Sequence, residues 1–206
     1  MAKTIMNFGC GIFCPDGYVN VDGSLTVLLA QMPIPAALYG PREPYIRAIR
    51  AGHVKHGTAR RLRVPAATLD GFYASHVLEH MSRADCLSLL ERVRLWLKPN
   101  GLVRIVLPDL HLLADQYASG TIDADHFVTK MHTAIDGMGA WQVASSHAFH
   151  RWMYDPSSFT RIMVSLGFRE VQVCKAAESA LAEFAELDRK IGREDQSFYV
   201  EAAPGR

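Results

Sequence analysis

Apolar positions along this chain form short continuous runs that stop at glycine or proline and alternate with stretches of helical spacing. Thr4 to Phe8 is the first run. It ends at Gly9-Cys10-Gly11, which suits a buried strand entering a tight turn. Tyr18 to Asp22 is a second short strand, closed by Gly23-Ser24. From Leu25 the pattern turns helical, then loosens through a proline-rich segment to Pro44, and Tyr45 to Arg50 has the spacing of another short helix.

The second half is more regular. Leu69 to Ser75 reads as a buried strand, and Arg83 to Leu97 places Leu87, Leu90, Val93 and Leu97 at helical intervals before Pro99-Asn100-Gly101 ends the helix. Leu102 to Leu107 is then a continuous β-rich run that stops at Pro108-Asp109. Strand, helix, turn and strand make a βαβ unit, whose right-handed crossover builds parallel sheet. Further helices are expected at Leu110 to Tyr117, Ala124 to Ile135 and Pro156 to Leu166, the last capped by Gly167. Phe168 to Cys174 and Ser197 to Ala202 read as closing strands, separated by a partly acidic helical stretch from Ala176 to Asp188. The fold class is α/β, and 206 residues suit one domain over residues 1–206.

Composition narrows the setting. Apolar residues make up 49% and charged residues 21%, with neither repeat nor low-complexity run, as in a globular protein. Met1 to Phe8 has no secretory pattern, and Leu25 to Leu38 is interrupted by Gln31, Pro33 and Pro35, too short an apolar run for a membrane span. Four cysteines in such a chain read as reduced thiols, so a cytoplasmic protein is expected. Cys10 and Cys14 lack a second close Cys or His pair, and no metal site is expected from them. A net charge of +1 argues against a surface built for nucleic acid. The local basic stretch Arg42, Arg47, Arg50, Lys55, Arg60, Arg61 and Arg63 reads as a solvated face before an anion-binding rim.

Glycines directly after a strand allow close approach of a ligand and positive φ. Asp22, at the end of the second strand, can accept hydrogen bonds from both hydroxyls of a ribose, although a turn or helix cap would use the same residue. A dinucleotide fingerprint would need glycine where Cys14 stands, which disfavours a nicotinamide enzyme.

Phe72-Tyr73-Ala74-Ser75-His76-Val77-Leu78-Glu79-His80 and Leu97-Lys98-Pro99-Asn100-Gly101, continuing to Leu110, resemble the "SHVLEH" and "LKPGG" stretches of class I S-adenosylmethionine-dependent methyltransferases. With Asn7 to Gly11 they stand in that family's order, and the resemblance covers most of the chain outside Leu25 to Arg63. It implies a doubly wound, mostly parallel, seven-stranded Rossmann-like sheet of order 3-2-1-4-5-7-6 with helices on both faces. It also implies S-adenosylmethionine as cofactor, contacted by Phe8, Gly9, Cys10 and Gly11, by Asp22 and Gly23, and by Ser75 and His76. Ligands of open α/β sheets bind beyond the carboxyl ends of strands at the topological switch, which agrees with these positions. Two departures stand out: Asn7 where an acidic residue is common, and a link from Gly11 to Asp22 too short for a first helix. Adenine contacts are guessed around Gly57 to Val64.

His76-Val77-Leu78-Glu79-His80 also fits the H-x-x-E-H pattern of a zinc peptidase class, but His76 follows a strand rather than lying on a helix, which disfavours a zinc hydrolase. Ser145 to Tyr154, with His147, His150, Trp152 and Tyr154, is expected to line the acceptor pocket together with Asp109. Methyl transfer needs no covalent nucleophile, and His150, His80 or Asp109 are the candidate bases for an acceptor that must lose a proton. The expected acceptor is a small molecule or sugar, and a cofactor-binding module without turnover is the alternative.

Overall fold

In the computed structural model, which describes residues 3–33, 35, 38, 40, 42–132 and 149–205, the strands are β1 (Ile5–Phe8), β2 (Val19–Asp22), β3 (Val54–His56), β4 (Leu69–Ser75), β5 (Leu97–Pro108), β6 (Phe168–Cys174) and β7 (Ser197–Pro204). They form one seven-stranded sheet in the order β3-β2-β1-β4-β5-β7-β6. All neighbours are parallel except β7, which runs antiparallel to both β5 and β6. The helices among the described residues are α1 (Leu25–Leu29), α2 (Glu43–Arg50), α3 (Arg83–Trp96), α4 (Leu110–Ala118), α5 (Ala124–His132), α6 (Pro156–Ser165) and α7 (Ala182–Ile191). The expected sheet order is the observed one. The last residues of the helix expected to reach Ile135 lie outside the described residues.

Period-two alternation sorts the central strands between two faces. Phe72 and Ala74 of β4, Val103, Ile105 and Leu107 of β5 and Phe198 and Val200 of β7 pack with Leu89, Leu90 and Val93 of α3 and Phe159 and Met163 of α6. Tyr73, Val106 and Tyr199 point the other way, against Phe184 and Leu187 of α7. Ser82 caps α3 by accepting from the Asp85 amide, and Asp155 begins α6 with a capping box to Ser158.

Two expectations are corrected. Pro99-Asn100-Gly101 does not lie between helix and strand: α3 ends at Trp96, and Leu97 already pairs with Leu69 before a bulge brings Leu102 opposite Gly71. Glycine is required within that bulge, because a Cβ at Gly101 would lie 2.9 Å from the Leu69 carbonyl oxygen. The helix expected from Ala176 to Asp188 starts later, at Ala182. Residues 175–180 are instead drawn to buried charge: the carbonyls of Lys175 and Glu178 accept from Arg104, the Ala177 amide donates to Asp188, and Ser179 Oγ donates to Glu201.

Candidate active site

The carboxyl ends of β1, β2 and β4 meet at the switch point, where Phe8 is in register with both Val21 and Ala74. The ten residues between β1 and β2 contain no helix and are held by two buried asparagines. Asn7 Nδ2 donates to the Phe13 carbonyl at 2.8 Å and to Asn20 Oδ1 at 3.0 Å, and Asn20 Nδ2 donates to the Pro15 carbonyl at 2.8 Å. A neutral amide at position 7 thus both donates to this loop and remains inside the sheet without the cost of a buried charge.

Gly9, at φ +69°, turns the chain so that its amide donates to the Val21 carbonyl at 2.7 Å. Gly11, at φ +49°, donates its amide to Asp22 Oδ2 at 2.9 Å, and the Ser24 amide donates to Asp22 Oδ1 at 2.6 Å. Asp22 therefore serves as a turn residue. Each of its oxygens takes one backbone proton and retains capacity for a second. A Cβ placed on Gly11 would meet nothing within 4 Å, so the loop is open on that side. An open glycine turn beside an acceptor-only carboxylate fits a ligand with vicinal hydroxyls. Gly23 and Gly57 lie against each other across this edge, and the Gly57 amide donates to the Asp22 carbonyl at 3.1 Å. Gly57, the start of the guessed adenine region, thus borders the cradle. Tyr45 of α2 is buried with Cys10. Its hydroxyl is pushed up by burial and then by the Asp22 charge, and the Cys10 thiol is pushed up by the same two causes. Neither the buried Tyr45 nor the exposed apolar Ile12 and Phe13 is marked by local spacing as part of this region.

On the other side of the crevice, β4 ends at Ser75 and the chain passes through His76, whose φ of +53° is left-handed and strained for a residue with a Cβ. The His76 side chain turns toward β7. Arg193 Nη1 lies 3.4 Å from Nδ1, and since arginine only donates, the ring proton sits on Nε2 and points to Ser197 Oγ at 2.8 Å. Burial, followed by the charges of Arg193, His150 and His80, holds the His76 imidazole down at about 3. Arg193 and Ser197 were not anticipated, because more than a hundred residues separate them from His76 and no local spacing signals the contact.

Leu78–His80 forms a 3-10 turn that directs Glu79 into the protein interior, where the side chain is wholly buried. Burial pushes its carboxyl up to about 8. The chain returning to the sheet docks on this turn, with the amides of Arg151 and Trp152 both donating to the Glu79 carbonyl. His80 Nδ1 lies 3.0 Å from the Phe149 carbonyl, and the His80 and His150 rings are 5.1 Å apart. A strand end followed by a 3-10 turn does not put His76 and His80 on one helix face, so the peptidase arrangement of that motif is absent here.

Other expected acceptor residues fall differently. Asp109 is at the rim, but its Oδ1 accepts from the amides of His111 and Leu112 as the N-cap of α4. Tyr154 is a correction: it is buried against Phe159, edge to face, in the core rather than in a pocket. Trp152 is half exposed, with the Arg83 guanidinium 5.7 Å from its ring centre. His147 and the segment from Ser145 lie outside the described residues. Several members of the basic stretch have internal partners. Arg50 donates to the carbonyls of Ala30 and Met32, Arg60 pairs with Asp85, and Arg47 pairs with Glu43.

Residues 3–173 match the model of a family described as a methyltransferase domain. No curated protein matches the chain. Among solved structures, an S-adenosylmethionine-dependent methyltransferase from Mesorhizobium loti superposes with a TM-score of 0.58 at 17% identity, covering 98% of this chain and 91% of that one. One from Archaeoglobus fulgidus gives 0.54 at 18% identity, covering 98% and 86%. The Haemonchus contortus phosphoethanolamine N-methyltransferase 2, solved with phosphomonomethylethanolamine and S-adenosylhomocysteine, gives 0.53 at 12% identity, covering all of this chain and 50% of that one. No helix among the described residues is long and apolar enough to cross a membrane.

Proposed function

The chain belongs to the methyltransferase-domain family, and we propose that residues 1–206 are one catalytic domain that methylates a small molecule, using S-adenosylmethionine. The observation that carries this reading is the cradle of Gly9, Gly11 and Asp22, set beside the end of β4 at the switch point. In this reading Phe8 to Gly11 lie under the methionine portion, Asp22 and Gly23 take the ribose, and Ser75 and His76 border the reacting end. Bound there, S-adenosylmethionine supplies a sulfonium methyl group open to in-line displacement. The chain's own part is to position the acceptor and exclude water. His80 and His150 stand at the acceptor end and receive a proton from an acceptor hydroxyl or amine. Asp109 is left to its helix, because its carboxylate already holds two amides of α4. The cysteines are free thiols, which supports a reducing, cytoplasmic setting.

S-adenosylhomocysteine at about a hundred times its dissociation constant should stabilise the protein by roughly 2.7 kcal/mol. A flat calorimetric titration with an unchanged melting temperature removes the proposal. Binding without turnover of any small-molecule acceptor leaves a binding module in its place.

Asp22→Ala should weaken S-adenosylhomocysteine binding by about 1.5–3 kcal/mol, roughly ten- to a hundredfold. The same change frees the Gly11 and Ser24 amides, so Asp22→Asn, which keeps one acceptor oxygen, should fall between wild type and alanine. Equal affinities across the three proteins, measured by calorimetry, would leave Asp22 a turn residue only. His150→Ala should depress turnover by about 10²–10⁴ with cofactor affinity unchanged, as expected for a proton acceptor on the acceptor side.

A further inference from the structure

We infer that Glu79, His80 and His150 form a binding site for one divalent first-row transition-metal ion at the acceptor end of the crevice. Each side chain offers one ligand atom, and the three atoms lie within 4.8 Å of one another. Donors of a tetrahedral ion bound at about 2.0–2.1 Å stand roughly 3.3 Å apart, so a contraction of an ångström or so closes the set.

Two independent features point to a ligand. The Glu79 side chain is 0% exposed, and neither carboxylate oxygen has a hydrogen-bond partner among the described residues. A buried carboxyl without hydrogen bonds is costly, and an ion between it and the imidazoles would satisfy it. The second feature is the orientation of His80. A carbonyl can only accept, so the contact with the Phe149 oxygen places the ring proton on Nδ1. The other ring nitrogen, Nε2, lies 3.8 Å from Glu79 Oε1. A histidine whose second nitrogen donates to a carbonyl is the arrangement that fixes a metal ligand in position.

His76 is excluded from the set although its Nδ1 lies 3.5 Å from Glu79 Oε1, because that nitrogen faces Arg193. The ligands therefore differ from the His76-Glu79-His80 triplet of the sequence motif: the third comes from the segment that returns after α5. Arg193 is a cation beside this cluster, with Nη1 3.4 Å from the same His76 nitrogen.

Two imidazole nitrogens and one carboxylate oxygen suit zinc and its first-row neighbours. Three protein ligands leave a coordination position open, as in catalytic rather than structural sites. The open position takes the hydroxyl oxygen of the acceptor. The ion lowers the hydroxyl pKa and its proton passes to solvent; with the ion bound His80 and His150 act as its ligands, and the role of base proposed above belongs to the metal-free site. This role rests on the methyltransferase reading, whereas the metal site rests on the geometry alone.

Protein freed of metal by chelator dialysis is titrated with zinc by calorimetry and with cobalt by visible absorption. One equivalent should bind per chain, with a cobalt spectrum lacking a thiolate charge-transfer band. Glu79→Gln and His150→Ala should each weaken zinc binding by about a hundredfold or more, with S-adenosylhomocysteine affinity unchanged. His80→Ala replaces Glu79→Gln if that variant does not fold. No stoichiometric binding, undiminished binding in the variants, or a charge-transfer band from Cys10 and Cys14 overturns the site. Binding of S-adenosylhomocysteine without zinc removes the metal and leaves the methyltransferase reading. Binding of zinc without S-adenosylhomocysteine does the reverse.

Discussion

Arg104→Ala should lower the unfolding free energy by about 3–5 kcal/mol, the range for removing one partner of a buried ionic network. Arg104 lies in the middle of β5 and is 0% exposed. Its Nη2 donates to Asp188 Oδ2 at 2.6 Å, its Nη1 lies 3.2 Å from Glu201 Oε2, and both nitrogens also donate to backbone carbonyls. Tyr73 donates to the second Asp188 oxygen at 2.8 Å. Alanine would leave the Asp188 and Glu201 carboxylates buried in the interior with their main cation gone. A loss of this size is a large share of the roughly 5–15 kcal/mol that stabilises a domain. Arg104→Lys keeps the charge but cannot reach both acids with a planar fork, and should recover only part of the loss. Urea unfolding of the three proteins, with slopes compared to confirm two-state behaviour, provides the measurement. A deficit under about 1 kcal/mol for the alanine variant would mean that water enters the site and solvates the acids.

This network also marks where local reading of the sequence stopped. The strand β4, the helix α3 and the run from Leu102 were legible because each carries its own periodicity, and the glycine turn and Asp22 were legible because they follow strands directly. Arg104 reads as the polar position in an apolar strand, and nothing nearby shows that its partners lie 84 and 97 residues away. The same partners displaced the start of α7, since residues 175–180 make their hydrogen bonds with Arg104, Asp188 and Glu201 instead of continuing a helix. Tyr154 failed for a related reason. An aromatic residue in a polar, histidine-rich segment suits a pocket, but here the chain crosses the rim and enters the core, with the Leu110 amide bonded to the Tyr154 carbonyl. The histidine cluster was half visible: His80 and His150 were singled out, while the orientation that joins them to Glu79 depends on a 3-10 turn with no sequence signature.

Gly9→Ala should cost about 2–4 kcal/mol of stability, combining a left-handed backbone with overpacking. The φ of +69° is one penalty for any residue with a Cβ. The other is steric: the new Cβ would lie 2.3 Å from Val77 Cγ2 and 2.9 Å from Cγ1. Val77 follows the strained His76, so Gly9 is small here because the turn after β1 rests directly on the turn after β4. Those two turns border the proposed cofactor cradle on one side and the histidine cluster on the other. Forcing them apart should weaken S-adenosylhomocysteine binding as well as the fold. A double-mutant cycle separates the two penalties. Val77→Ala removes both γ carbons, leaving only the Val77 Cβ at 3.2 Å. The double variant should therefore recover about 1–3 kcal/mol relative to the sum of the single changes, while the backbone penalty persists. Cofactor affinity, read by calorimetry on the same four proteins, should recover in parallel. A coupling energy near zero would show that the Gly9 penalty is wholly backbone conformation, and that contact between the two turns does not set the width of the crevice.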